Sequence, residues 1–259
     1  PKLFILENVR RLLSMQEGMH FHTIIEALSR LNYDIEWRLL NSNSFGIPQH
    51  RQRVFIVGRR NDLKFNSPFI LNDEFEKDLF GDTSLKEKTG YKTPPKKFKN
   101  WGKANNNGWY DVDLSDDLNL VKKITLKEVL QPPEDVNPIY NYHKNTLERI
   151  KNSVKVNRFY NGVEILYNQG GGARLGYTIF GVNGVVSTLT ASTSRHYERY
   201  QVGDTYRRLT NVEYARLMGF PDLWCKALPL YHQHAAFGNA VVPKCVNWIA
   251  QKLIKSVDI

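Results

Sequence analysis

The sequence predicts a mixed α/β fold: the closing half of an open sheet, followed by a smaller, mostly β region. Two observations lead there. Short apolar runs at Leu3 to Leu6, Ile35 to Leu40 and Val54 to Val57 have strand length, and a helical pattern lies between the first two. From Gly162 the period changes to two, and short strands alternate with glycine-rich loops. At 259 residues and 41% hydrophobic, the chain can bury a sizeable core in one large domain or two.

In chain order, Leu3 to Leu6 reads as a buried strand ending on Glu7-Asn8-Val9. Phe21, Ile24, Ile25, Leu28 and Leu31 recur at helical spacing and give an amphipathic helix. Asn32-Tyr33 breaks it, and Ile35 to Leu40 is the next strand. Phe45 to Arg60, FGIPQHRQRVFIVGRR, sets a turn on Gly46 and Pro48 before another apolar run. If Gln49, Arg51 and Arg53 alternate along a strand, one amide and two guanidiniums share a face and suit an anionic or acceptor-rich ligand. Residues 62 to 124 lose periodicity and gain Asn, Lys, Gly and Pro. Short helices are expected at Leu126 to Leu130 and around Asn145 to Lys151. Val163 to Tyr167, Tyr177 to Phe180 and Val185 to Thr190 read as strands. Thr210 with Glu213 forms a capping box for a helix that stops at Gly219 and Pro221. A last helix starts at Pro243 and buries Val246, Ile249, Ala250, Leu253, Ile254 and Val257.

A net charge of +10 favours a polyanionic partner, with nucleic acid ahead of a membrane surface. Between Lys88 and Tyr110 lie six lysines and no acid, interleaved with Phe98, Trp101 and Trp109. Those aromatics form either part of the contact or a small satellite core. Lys144, Arg149, Lys151, Lys155 and Arg158 form a second basic cluster, diluted only by Glu148. No apolar run is long enough to span a membrane, and PKLFILENV is no signal peptide. Two cysteines, Cys225 and Cys245, make no disulfide framework and fit a reducing cytoplasm. His20/His22 and His232/His234 lack a third ligand at customary spacing, so no metal site is expected. The Gly170–Gly172 run is not a phosphate loop, because a strand follows it and no Gly-Lys-Ser/Thr is present. Phe237 to Pro243 reads as a tight loop feeding a helix N-terminus.

Together these pieces resemble the DNA cytosine-5 methyltransferases, in their C-terminal two-thirds. ENV at Glu7 to Val9 is similar to the family's motif VI, FGIPQHRQRVFIVG to motif VIII, YRRLTNVEYARLMGFPD to motif IX and FGNAVVP to motif X. The resemblance implies part of a Rossmann-like, S-adenosyl-L-methionine-dependent catalytic sheet over residues 1–133, with a lysine-rich insertion at about 72–123. It implies a target recognition domain over 134–208 and a return to the catalytic domain over 209–259. Glu7 would hold the target cytosine at N3 and N4 and help protonate N3. Arg53 would hold it at O2, while Arg51 and Gln49 hold the site and nearby backbone. Gly238, Asn239 and Ala240 would lie beside the methionine end of S-adenosyl-L-methionine.

Double-stranded DNA is the expected substrate, in a bacterial or phage restriction-modification setting. Its sequence would be read from loops carrying Asn168, Gln169, Arg174, Ser192, Thr193, Ser194 and Arg195. Lys88 to Lys103 would add phosphate contacts. The glycine-rich cofactor loop and the Pro-Cys nucleophile of the family, motifs I to IV, are not in this sequence. The chain alone is therefore expected to be inactive and to need an N-terminal part, in the same polypeptide or as a separate subunit. The alternatives are a non-catalytic DNA-binding module and an RNA-directed relative acting on tRNA.

Overall fold

The computed structural model describes residues 1–71, 88–89, 91, 93–115, 118, 120–168, 178–191 and 198–258. The chain divides into two compact units. The first comprises Pro1–Asn41, Gln52–Leu118 and Cys245–Ile259, and the second Ser42–Arg51 and Asn119–Lys244.

In the first unit, strand β1 (Leu3–Val9) leads through a short 3-10 turn to helix α1 (Met19–Arg30) and strand β2 (Tyr33–Asn41). Strand β3 (Gln52–Arg60) pairs antiparallel with both β1 and β2 and lies between them, so β1 and β2 run the same way. Helix α1 buries Phe21 and Ile25 against Ile35, Trp37, Val54 and Ile56. Leu31, given to the helix's apolar stripe by its spacing, follows the last helical turn and is exposed.

Two expectations change here. The run at β1 reads as buried, yet β1 is an edge strand among the described residues, and Leu6 and Val9 are exposed. The aperiodic region after residue 62 in fact extends the sheet. Strand β4 (Lys64–Phe65) pairs with the chain's last strand, while β5 (Lys88–Thr89), β6 (Trp101–Asn105) and β7 (Gly108–Val112) continue the sheet beyond β2 in the order β6, β7, β5. Asn105 caps the β6–β7 turn by accepting the Asn107 N–H at 2.8 Å. Phe98, Trp101 and Trp109 are all buried, and Phe98 meets Phe21, Trp37 and Trp109 in edge and tilted ring contacts. Of the two readings of these aromatics, core is the one their burial favours.

The other face of β2 is buried as well, although it carries Asp34, Glu36 and Arg38. Burying charge is costly unless it is paired and hydrogen-bonded. Glu36 accepts from the Ile70 and Leu71 N–H groups and from Trp101 Nε1, Arg38 donates to the Leu71 carbonyl, and Asp34 meets Arg59 at 2.6 Å.

The second unit holds a five-stranded sheet. Strands β8 (Val154–Tyr160), β9 (Val163–Asn168), β10 (Thr178–Phe180), β11 (Arg199–Val202) and β12 (Thr205–Arg207) lie side by side in chain order. Residues of the second basic cluster form helix α2 (Lys144–Lys151) and β8, a strand that its lysines and arginines obscure. Val185 to Thr190 is no regular strand; Val186 makes a single parallel bridge to Gln49. Helix α3 (Asn211–Met218) has the expected capping box, with the Thr210 hydroxyl accepting from the Glu213 N–H at 3.1 Å and Glu213 returning a carboxylate to Thr210 N–H at 2.8 Å. The same carboxylate clasps Arg207 through two bonds of 2.7 and 2.8 Å.

Helix α4 (Leu230–Asn239) takes in Phe237, Gly238 and Asn239, the first three residues of what reads as a loop before Pro243. Helix α5 (Pro243–Lys255) starts at the expected proline and runs into strand β13 (Val257–Asp258). It buries Cys245, Ile249 and Leu253, while Ile254, assigned to the buried stripe, is exposed. No helix among the described residues is long and apolar enough to cross a membrane.

Candidate active site

Glu7 and Arg53 come together because of strand register. Val9 pairs with Arg53 and Glu7 with Phe55, so Glu7 is the diagonal neighbour of Arg53 on one face of the β1–β3 pair. Arg53 Nε approaches Glu7 Oε1 at 3.0 Å, and both side chains stay partly accessible, 16% and 25% exposed. Burial draws the Arg53 guanidinium below its ordinary value, and the Glu7 carboxylate opposes that by charge and hydrogen bonding. Arg53 also donates to the Gln52 carbonyl at 2.9 Å, and Arg10 donates to Gln52 Oε1 at 2.8 Å. The result is a half-buried carboxylate and guanidinium at the carboxyl end of β1 and the start of β3. Such a pair can exchange its internal ion pair for a planar ligand that offers an acceptor beside a donor.

Gln49 and Arg51 do not extend that pair as an alternating row, because β3 starts only at Gln52. Both are buried within the second unit and hydrogen-bond mainly to main chain there. Gln49 donates its amide to the Leu217 carbonyl at 2.7 Å and accepts the Leu189 N–H at 3.0 Å. Arg51 donates to the carbonyls of Leu189, Gly238 and Ala240 at 2.8, 3.1 and 2.8 Å. These two side chains tie the 45–51 segment to the end of α3, to residue 189 and to the end of α4. Three donors aimed at one anion are therefore not what the chain builds.

Sequence reasoning missed the zipper beside them. The His50 N–H donates to the Val186 carbonyl, Val186 N–H to the Pro48 carbonyl, and the Thr188 hydroxyl to the His50 carbonyl at 2.8 Å. Its one visible signal is the apolar run after Gly184, read as an ordinary strand.

The FGNAVVP stretch is rigidly held. Phe237 and Gly238 are buried in the last turn of α4, and Asn239 is exposed at its end. A Cβ added at Gly238 would overlap the backbone of Thr190 and Ala191, so only glycine permits that approach. With the carbonyls of Gly238 and Ala240 taken by Arg51, Asn239 presents its side chain outward from a fixed backbone.

Of the residues expected to read DNA, Asn168 ends β9, where its Oδ1 accepts from the Thr178 hydroxyl at 3.3 Å. Gln169, Arg174, Ser192, Thr193, Ser194 and Arg195 lie outside the described residues. Among the described residues, no group of three or more His, Cys, Asp and Glu is placed to hold a metal ion. Cys245 is buried in α5, and Cys225 is partly buried.

Residues 1–255 match the protein family described as C-5 cytosine-specific DNA methylase. The chain belongs to that family. It is 27% identical to the Type II methyltransferase M.Sau3AI of Staphylococcus aureus, in an alignment covering 98% of the chain and 68% of that relative. It is 28% identical to the Type II methyltransferase M.SsoII of Shigella sonnei, covering all of the chain and 54% of the relative. It thus spans between about half and two-thirds of these curated relatives. Among solved structures it resembles the S. pombe Dnmt2 methyltransferase, with a TM-score of 0.59 at 17% identity over 98% of the chain and 68% of that structure. It also resembles a prophage-encoded putative DNA modification methyltransferase of E. coli, with a TM-score of 0.54 at 19% identity over 99% of the chain and 70% of that structure. At those identities the structural likeness is one of fold.

Proposed function

We propose that the chain is the base-holding and DNA-recognising portion of a DNA cytosine-5 methyltransferase of restriction-modification type. The observation that carries this reading is the Glu7–Arg53 pair, accessible and held by register in a chain of the C-5 cytosine-specific family. On this reading the first unit is the closing part of the catalytic sheet; its co-directional β1 and β2 with β3 inserted between them support that.

The target cytosine is turned out of the duplex so that its ring can be reached. A thiolate then adds to C6, which pushes electron density onto the ring toward N3 and O2. Glu7 holds N3 and N4 and delivers a proton to N3, and Arg53 stabilises the charge at O2 by a preorganised cationic donor. Once C5 is methylated, a base takes the C5 proton, the thiolate is expelled and N3 returns its proton to Glu7, which restores the aromatic ring, the nucleophile and the acid. S-adenosyl-L-methionine, when bound, supplies the methyl group. The residues fit such a ligand: Asn239 faces outward from a backbone that Arg51 and the Gly238 contact fix in place, so its amide is preset to meet the methionine end beside Gly238 and Ala240. Gln49 and Arg51 act by holding that backbone rather than by touching the base. The thiolate is proposed to come from a Pro-Cys segment outside these 259 residues, since Cys245 is buried in α5.

The test mixes the chain with a partner polypeptide that carries a Pro-Cys segment and measures tritiated methyl transfer to duplex DNA. Transfer by the pair and none by the chain alone is expected. Arg53→Ala should lower turnover by about 10²–10³-fold while DNA affinity stays within about twofold. Equal losses of turnover and affinity would contradict the role given to Arg53.

A further inference from the structure

Among the described residues strand β8 is an edge strand, and six of its seven residues are exposed. Edge strands are ordinarily short or shielded; this one displays Phe159 at 60% and Tyr160 at 66% exposure, next to Arg158. With β9 it forms an antiparallel ribbon closed by Asn161-Gly162. Their φ values of 49° and 76° are the two positive angles of a primed hairpin turn. The register shifts between Lys155 and Arg158, an irregularity of the kind that re-aims side chains. Beyond the shift Arg158 stands opposite Ile165 and Tyr160 opposite Val163, so Arg158 and Tyr160 share one face. That face borders a cleft of about 480 Å3, with Ile165 and Phe180 among its apolar residues and Arg158, Asn161 and Asn168 among its polar ones.

We propose that the β8–β9 ribbon enters the major groove of duplex DNA, and that Arg158 and Asn161 are specificity-determining residues that read base edges there. The inference rests on the DNA-methyltransferase reading and adds where recognition happens. A two-stranded ribbon fits the major groove, which is about 12 Å wide. A guanidinium offers two parallel donors to guanine O6 and N7, and an asparagine amide offers a donor and an acceptor to adenine. Charge complementarity names the same occupant. Lys144, Arg149, Lys151 and Lys155 are exposed on α2 and β8, the elements that lead into the ribbon's tip, and cations of this kind meet the phosphates that flank a groove.

The experiment binds the 259-residue chain to a pool of randomised duplexes and sequences what is retained. Arg158→Lys keeps the charge but loses the fork, and Asn161→Gly keeps the positive φ and so the turn. The wild-type pool should show a preferred motif. Arg158→Lys should erase the preference at one position by about tenfold or more, and Asn161→Gly at another, with affinity for unselected duplex within about twofold. Lys155→Gln should weaken all sequences alike. An unchanged motif in Arg158→Lys and Asn161→Gly would overturn the ribbon proposal while leaving the methyltransferase reading standing. A uniform loss from both would also overturn it, by making them phosphate contacts. A wild-type chain that binds duplexes without any preference would overturn the ribbon proposal together with the DNA-recognition part of the proposed function.

Discussion

Glu36 lies fully buried on the polar face of β2, where its two carboxylate oxygens accept from Ile70 N–H at 2.6 Å, Leu71 N–H at 2.9 Å and Trp101 Nε1 at 2.8 Å. Burial pushes this carboxyl up, and Lys103 with the three donors pulls it back. The three N–H groups point at oxygen from two different segments, so no rotation of an amide in the same place serves them all. Glu36→Gln must turn an NH2 toward at least one of these donors and leave a buried polar group unsatisfied, a loss of about 1–3 kcal/mol. A urea midpoint for Glu36→Gln equal to that of the wild type would show that the site repacks around the amide. The Glu7–Arg53 pair obeys different demands: both side chains stay partly accessible, and a single ion pair joins them. The contrast separates a carboxylate that ties segments together from one suited to a ligand.

At the scale of elements, helix α3 and the turn behind it show how local chemistry fixes a fold. The helix starts on a capping box and ends at Gly219, and Arg216 then clasps Asp222 through bonds of 2.8 and 2.7 Å. The hydrogen bond from Arg216 holds the Asp222 carboxyl below its ordinary 3.8. A lowered folded value means that the unfolded chain takes the proton first. The stabilisation is therefore complete above the ordinary value and is lost as pH falls through the folded one. Both side chains are substantially exposed, so solvent screening keeps the contribution below about 1 kcal/mol. Denaturation of wild type and Asp222→Asn should differ slightly at neutral pH, and the difference should shrink as pH falls below the ordinary carboxyl value; a difference that grows on acidification would reverse the assigned sign. This helix was legible from Thr210, Glu213 and Gly219, because a cap is a contact within one turn of chain. The β6–β7 hairpin and β8 were not: lysines and asparagines mask their alternation, and only partners far along the chain reveal it. Gln49 and Arg51 were legible as residues that matter but misread in orientation, since the carbonyls that claim them lie 138 to 189 residues away.

For the molecule as a whole, the net charge of +10 acquires a location. Within the lysine-rich insertion, expected to meet phosphates, two lysines already have carboxylate partners: Lys99 reaches Asp113 at 2.8 Å at the surface and Lys103 lies 3.5 Å from Asp34, while the intervening aromatics are core. Lys144, Lys151 and Lys155, by contrast, are exposed on α2 and β8. Each phosphate neutralised releases counterions, so the logarithm of affinity falls with the logarithm of salt by about 0.9 per contact. Replacing these three lysines together by glutamine should make the slope for duplex binding shallower by about 2.7 if all three meet phosphates. Replacing Lys99 and Lys103 should leave the slope nearly unchanged and lower stability instead. The two variants remove three and two positive charges, so a mechanism driven by overall charge alone would flatten both slopes roughly in proportion. A flattened slope for the Lys99 and Lys103 pair, with little change for the α2–β8 set, would return the DNA-facing surface to the insertion. The comparison tests position at nearly constant charge, which net charge by itself does not specify.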